Sequence, residues 1–447
     1  MTPSTTLSRR RLVAGTAATA SAAAVGAVAF AGMTPERALA RLAALQDGPV
    51  AIDYWHRSTG DTILQWEELA TAFNAEYTGQ VEVTTNAQGD IQELSQKVRA
   101  AAAGGGLPGA LMADDYDVTQ YAANEIIVPF DPYVADSETG LTAEEQADFL
   151  PGQFNRHKLD LYGDNQMAFP QGFSAFTCFW NVDALQKAGF QAPPATWQEL
   201  PDHLRAVAAA NPGMAGWNIG GAGDRFISVL LTHGVQWLAD DRQSSNFDRP
   251  EALEIMTWWK SLADEGLLAV LPEGAADSFA AGTSIYFMDS SGNTARFNTD
   301  ITAFAWDCGL PPQGAGNPDP VTETYGPINT LPKNDEAKQL AGWLWLRWLS
   351  TPGPMSQWVQ ATNYFPARTS VADSPELETY YESNPYAAKL VKDLAPLARI
   401  LSPSPALTEV RGQITADVVN EVQLGRLTPE DGVLKLKSEA DEAIANV

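Results

Sequence analysis

The 447-residue sequence predicts a two-lobed α/β protein. Three observations predict it. Strand and helix patterns alternate from residue 50 to residue 113, the order of a parallel sheet with helices on both faces. The same alternation resumes after residue 197. Between the two blocks, residues 169–200 (FPQGFSAFTCFWNVDALQKAGFQAPPATWQEL) hold a strand ending in aromatics and a rigid double proline, which suits a seam. A chain of this length can bury two full cores.

After a short helical leader at 35–45, residues 50–55 alternate apolar and polar side chains and predict the first strand. A helix over 63–77 and a strand at 81–83 follow. The helix over 91–103 meets Gly104-Gly105-Gly106, a stop because glycine adopts the left-handed cap conformation at little cost. Residues 109–113 predict a third strand, running into Asp114-Asp115-Tyr116-Asp117. Ligands of such sheets bind beyond the carboxyl ends of the strands, which puts Trp55, His56, the 86–90 loop and Asp115 on one rim.

At the seam, Gln171-Gly172 makes a polar turn, and residues 173–180 are too short and too β-prone for a helix. Asn181 and Asp183 open a short helix that Gly189 stops. Thr196 with Glu199 forms a capping box for a helix over 197–210. A strand at 215–219, a glycine turn at 220–223 and helices over 226–238 and 251–265 follow. The strand at 283–288 runs into Asp289-Ser290-Ser291-Gly292 as a second passage between lobes. Residues 304–308 and the 311–320 loop then return to the first lobe, and 325–330 form a third passage. Beyond Asp335 the chain reads as helices over 337–350, 354–361, 380–394 and 407–424, with one more after Pro429. Trp343, Trp345 and Trp348 share a helical face and predict packing. The expected division is 1–46 for signal and leader, 47–173 with 289–329 for one lobe, and 174–288 with 330–447 for the other.

Ser8-Arg9-Arg10-Arg11-Leu12-Val13 precedes an Ala/Gly/Val run over 14–32, with Ala29-Phe30-Ala31 as a small-residue cleavage site. Paired arginines before a weakly apolar segment predict twin-arginine export; an uncleaved anchor is the alternative. No lipobox cysteine accompanies the site. A disulfide between Cys178 and Cys308 is allowed outside the cytosol, but nothing in the sequence brings them together, and Cys178 is expected as a buried free thiol. With 28 basic and 55 acidic residues the net charge is −27, which opposes encounter with nucleic acid. The acidity is spread along the chain, as solubility requires.

The four histidines have no partners at metal-ligand spacing, and neither HExxH nor paired CxxC occurs. Gly220-Gly221-Ala222-Gly223 lacks the Lys-Ser/Thr of a phosphate loop, and no Gly-x-Ser-x-Gly elbow occurs, so no cofactor is expected. Carboxylate pairs are too abundant in so acidic a chain to nominate a glycosidase dyad. What remains is a set of aromatic and polar residues at strand ends. Sugars and polyols need flat aromatic platforms with carboxylate and amide partners, and a phosphorylated polyol also needs arginine.

The 169–200 segment resembles the hinge of bacterial extracellular solute-binding proteins of the type 1 family: polar turn, strand, aromatic-Asn, helix, Ala-Gly, Pro-Pro, Thr-Trp-x-Glu-Leu. The exported part is most similar to the glycerol-3-phosphate and glycerophosphodiester binding members. The resemblance implies a periplasmic-binding-protein-like (type II) fold, two α/β lobes joined by three hinge crossings. It implies ligand contacts at Trp55 and His56, at Asp115 after the third strand, at Ser174 in the hinge strand, at Ser290 and Ser291, at Gly326, at Tyr364 in Asn363-Tyr364-Phe365-Pro366, and at Arg411 as a phosphate partner. The sequence departs from the pattern where an expected tyrosine falls near Ile91 and two tryptophans fall near Gly221 and Asp224; Trp217 lies close enough to substitute for one. Each position has a structural alternative. Trp55 and Trp180 are core aromatics or platforms, Asp115 is a ligand contact or a helix cap, Tyr364 is a contact or packing, and Arg411 holds a ligand or pairs with Glu409 or Asp417. Ser174 favours function, because an unpaired buried hydroxyl is costly.

The expected protein is therefore an exported monomeric substrate-binding protein of an ABC importer. It would take a small-molecule sugar or glycerol-phosphate ligand and dock on ABC permease transmembrane subunits. The alternative is a secreted carbohydrate-active hydrolase, which needs two carboxylates facing across one bond; the strand-end rule positions only Asp115.

Overall fold

In a computed structural model, residues 35–45, 48–58, 60–150, 152–271 and 274–447 are described. The expected export signal lies outside them. In chain order the strands are β1 (Val50–His56), β2 (Val81–Ala87), β3 (Ala110–Asp114), β4 (Ile127–Val128), β5 (Lys158–Leu159), β6 (Asn165–Gln166) and β7 (Gly172–Asn181). They continue with β8 (Ala215–Ile219), β9 (Leu268–Val270), β10 (Ser284–Ser290), β11 (Trp306–Gly309), β12 (Thr322–Tyr325), β13 (Pro327–Pro332), β14 (Phe365–Pro366) and β15 (Ala398–Arg399).

Alternation along β1 buries one face and pairs it in parallel with β2 and β3. The first sheet has the order β2-β1-β3-β13-β4, with β13 antiparallel to β3 and β4. The helix Ile91–Gly104 begins with Asp90 and Glu93 in a capping box and ends at left-handed Gly105, φ 78°. Tyr54, Trp66, Phe73, Trp343, Trp345 and Trp348 fill the core on one face of this sheet. The helix Pro35–Leu45, expected as a leader, docks there through Leu42.

The second sheet is built on β7, which is buried at every position. Its even residues Phe176, Cys178 and Trp180 enter one core with Trp197, Trp217 and Trp259. Its odd residues Phe173, Ala175 and Phe179 enter another with Phe287, Phe297 and Cys308. β10, β11, β12 and β14 all pair with it antiparallel.

The passages between lobes differ from expectation. The first lies between Phe169, bridged to Asn329, and the start of β7. No passage occurs at 289–292. From β7 through β12 every strand belongs to the second sheet, and the helix Asn293–Asp300 sets Phe297 against Phe179 at 5.1 Å. The reason is the length of β7, whose residues 178–181 pair with β11 while 174–175 pair with β12. The chain returns at Gly326, between β12 and β13. The helices Glu336–Leu349 and Pro352–Thr362 then add Trp343, Trp345, Trp348 and Trp358 to the first lobe's core, not the second's. The last passage follows β14: Leu377 packs in the first lobe and Leu390 in the second. Pro385 divides the expected 380–394 helix into Pro375–Ser383 and Pro385–Asp393. Lobe one therefore takes 327–362, and lobe two takes 289–325.

The two cysteines are free, and Cys178 and Cys308 enter cores on opposite faces of the second sheet. Both thiols are expected to react with a thiol reagent only after denaturation, and reductant should leave the melting temperature unchanged. A reductant-sensitive melting temperature would count against this placement.

Candidate ligand cleft

Strand ends from both sheets converge on a chamber of about 240 Å³. β1 delivers Arg57 just past its end, and β3 delivers Asp114, Asp115 and Tyr116. β7 places Ser174 near its start, β10 ends in Asp289 and Ser290, and β12 supplies Glu323, Tyr325 and the following Gly326. The helix Ala222–Thr232 after β8 adds Asp224 and Arg225. Arg411 comes from a π-helical turn, Val410–Ile414, the kind of irregularity common at functional sites.

Charge in this chamber is matched in pairs. Arg57 Nη2 donates to Asp114 Oδ1 at 3.0 Å. Arg225 donates from Nη2 to Asp289 Oδ2 at 2.8 Å and from Nη1 to the Tyr325 hydroxyl at 2.5 Å. Arg411 donates from Nε to Asp224 Oδ1 and from Nη1 to Glu323 Oε1, both at 2.5 Å. Behind the floor, Arg156 makes a two-nitrogen contact with Asp115, with Nε 2.6 Å from Oδ1. His157 Nε2 also lies 2.6 Å from that carboxylate.

These pairs set the ionisation. Burial raises the Asp115 pKa, but Arg156 and His157 outweigh it and hold the group below its ordinary value. Asp224 is likewise opposed by burial and carried below it by Arg411 and Arg225. For Glu323 burial prevails, and its pKa stays raised despite Arg411 and Ser228. Beneath the rim, burial and then the Asp114 charge push Asp117 up to about 7, against a hydrogen bond from Ser95 Oγ at 2.9 Å.

Six of the residues singled out from the sequence share the chamber: Asp115, Ser174, Ser290, Gly326, Tyr364 and Arg411. Asp115 is not a cap, since its oxygens are taken by Arg156 and His157. Ser290 Oγ donates to Ser174 Oγ at 2.9 Å. Gly326 sits at φ +106°, where a Cβ would lie 3.3 Å from Ser174 N and 3.5 Å from the Tyr364 ring. Arg411 pairs with neither Glu409 nor Asp417 but with Asp224 and Glu323.

Four others lie elsewhere. Trp55 is half-buried and packs against the core that holds Leu94, Val98 and Leu111, on the face that alternation along β1 assigns it. His56 is fully buried among the Tyr54 and Trp66 rings, and burial lowers its pKa to about 4, so it is neutral. β1 continues through His56, so Arg57 reaches the rim instead. Trp217 is core, stacked on Trp197 at 6.0 Å. Ser291 is also fully buried: its Oγ accepts from Ala175 N at 3.2 Å, tying the end of β10 to β7.

Arg57, Asp289 and Tyr325 were discoverable from the sequence by the strand-end rule, given correct strand ends. Arg156 and His157 lie on a turn before β5 and carry no such signal. Where the family pattern expects aromatics, Ile91 and Asp224 line the chamber; its rings come from Tyr116, Tyr325 and Tyr364.

Residues 68–385 match the family described as bacterial extracellular solute-binding protein, well over half of the chain. The chain belongs to this family. The sn-glycerol-3-phosphate-binding periplasmic protein UgpB of Escherichia coli K12 is 24% identical over 360 residues, 75% of this chain and 78% of that one. The structure of UgpB from Mycobacterium tuberculosis in complex with glycerophosphocholine superposes with a TM-score of 0.76 at 19% identity, covering 90% of this chain and 99% of the other. The cyclic alpha-maltosyl-1,6-maltose binding protein from Arthrobacter globiformis gives 0.75 at 20% identity, covering 89% and 100%. The fold is thus the two-lobed type II architecture of periplasmic binding proteins. This solute-binding protein acts outside the cytoplasm and is a binder, not an enzyme, which sets aside the hydrolase alternative.

Two outcomes are expected. Arg411→Ala strands Glu323, whose side chain is 1% exposed, without a counter-charge, so urea unfolding should show a loss of about 3 kcal/mol. Adding Glu323→Gln should recover much of it; a double variant as unstable as Arg411→Ala would refute the pairing. Asp117 keeps its proton when folded up to about pH 7 but ionises near 3.8 when unfolded. The folded state therefore binds more protons between those values, and this contribution is present at the acid end and lost as pH rises. The stability advantage of wild type over Asp117→Asn should shrink from pH 4.5 to pH 7.5, by up to about 1 kcal/mol per pH unit. A difference independent of pH would count against it.

Proposed function

We propose that this solute-binding protein serves an ABC importer, capturing a neutral sugar or related polyol between its lobes and presenting it, as a monomer, to the permease's transmembrane subunits. Closure is a population shift toward the state in which both lobes touch the ligand. Two contacts available to that state bridge the lobes here. Thr119 Oγ1 donates to Ser404 O at 3.1 Å, and Arg242 pairs with Asp160 at 2.7 Å. Delivery to the outside is assigned to the twin-arginine signal at residues 8–13.

The pairing of charges carries the choice of ligand. Arg57, Arg156, Arg225 and Arg411 face Asp114, Asp115, Asp224, Asp289 and Glu323, so the carboxylates are in excess. A phosphate would have to draw a guanidinium off its carboxylate and then sit beside that carboxylate. Hydroxyl groups accept from guanidinium and donate to carboxylate at once, leaving the pairs intact. The tyrosine rings offer flat faces to sugar C–H groups.

A glycerol-phosphate ligand is the second reading, favoured by the name of the UgpB relatives. In that case Arg411 or Arg225 would serve the phosphate. A thermal-shift screen separates the two, since a ligand of the native state raises its melting temperature. Neutral mono- and disaccharides are expected to raise it and glycerol 3-phosphate to leave it unchanged at equal concentration; the reverse pattern would install the phosphate reading.

A further inference from the structure

We propose that Tyr116 sets the length of ligand this cleft accepts; the inference rests on the sugar reading above. Beyond the 240 Å³ chamber the cleft continues into an outer chamber of about 710 Å³, also bounded by both lobes. Four residues line both chambers, Ile91 and Tyr116 from the first lobe and Asp224 and Arg411 from the second. They form the partition.

The second-lobe half of that partition is fixed. Arg411 is held by Asp224 and Glu323, each at 2.5 Å. Its backbone is equally constrained, because a Cβ on Gly223 would lie 2.2 Å from Arg411 O. Tyr116 is the other half. It follows Asp115, which Arg156 and His157 anchor, and it packs against the second lobe's core. Its ring lies under the Arg411 guanidinium, 5.8 Å from the ring centre. The side chain thus crosses the cleft and closes the inner chamber against the outer one.

Size and chemistry then assign the chambers. The inner volume of about 240 Å³ falls below the ~300–1,000 Å³ of sites for drug-sized ligands, which fits one sugar-sized unit. The outer chamber is lined by Gln92, Gln96, Gln120 and Gln413, whose amides both donate and accept and would suit further hydroxylated units. With Tyr116 in place those amides lie outside the bound unit. Where the family pattern expects a tyrosine, Ile91 stands on the same partition, so Tyr116 is its aromatic member.

The test compares full-length wild type, Tyr116→Ala, Tyr116→Val and Tyr116→Phe against glucose, galactose, mannose, maltose, trehalose, maltotriose and raffinose. Thermal shift gives the ranking, and calorimetry measures the binders. Wild type and Tyr116→Phe should prefer a monosaccharide. Whichever small-residue variant folds should gain about tenfold or more in affinity for a di- or trisaccharide relative to that monosaccharide. A wild type that binds a trisaccharide as tightly as a monosaccharide overturns the proposal and leaves the sugar reading standing. So does a variant that weakens every sugar alike, the outcome of mere loosening. No shift from any sugar with any protein sinks the sugar reading and this inference with it.

Discussion

β7 is a ten-residue strand buried along its whole length, and its backbone must find hydrogen-bond partners without water. It draws β10, β11, β12 and β14 onto its two edges, from sequence positions more than a hundred residues away. The architecture follows from that demand. Because β11 and β12 are held by β7, the chain cannot return to the first lobe until Gly326. At Gly326, the point of return, the Ser174 amide, the Phe173 Cα and the Tyr364 ring crowd the place where the hinge meets the cleft. The positive φ there favours glycine on conformational grounds, and the crowding adds a steric one.

The same junction ties hinge to ligand. Arg156 reaches the Gly326 carbonyl at 3.3 Å with the guanidinium that holds Asp115. Asp115 in turn lines the chamber. A change in backbone angle at the hinge therefore moves a guanidinium that the cleft depends on, through one contiguous chain of hydrogen bonds. Where both partners are buried, as Arg411 and Glu323 are, a pair is costly to break singly, because the break leaves a buried charge. The chamber should then respond to a ligand as a unit, with its pairs kept.

Much of this was legible in the sequence, for identifiable reasons. Alternation in β1 and the glycine stop after residue 103 are local signals, and their elements fall where those signals point. The lobe boundaries after residue 289 were not legible, because the pairing of β11 with β7 is fixed by partners distant in sequence. His56 was misplaced by a single residue of strand length, enough to turn a rim side chain into a core one. Trp217 was misplaced because it sits in the middle of β8, where its ring stacks on Trp197 in the core rather than facing the cleft. The carboxylate partners of Arg411 were illegible for another reason: Asp224 and Glu323 are remote from it in sequence, while Glu409 and Asp417 are near.

That last contrast bears on how such a site acquires its selectivity. An arginine on a helix turn is compatible with a phosphate ligand or with a structural pair, and sequence proximity favours local partners. The π turn at Val410–Ile414 changes the register within the helix and aims Arg411 across at Asp224 and Glu323. Once both carboxylates are engaged, the guanidinium keeps its hydrogen-bonding edge but loses its net charge to the surroundings. On the sugar reading, an arginine engaged by two counter-ions makes a polar wall in place of an anion site. On that reading such a wall would distinguish ligands by hydroxyl geometry rather than by charge, with the Tyr116 ring lying against it.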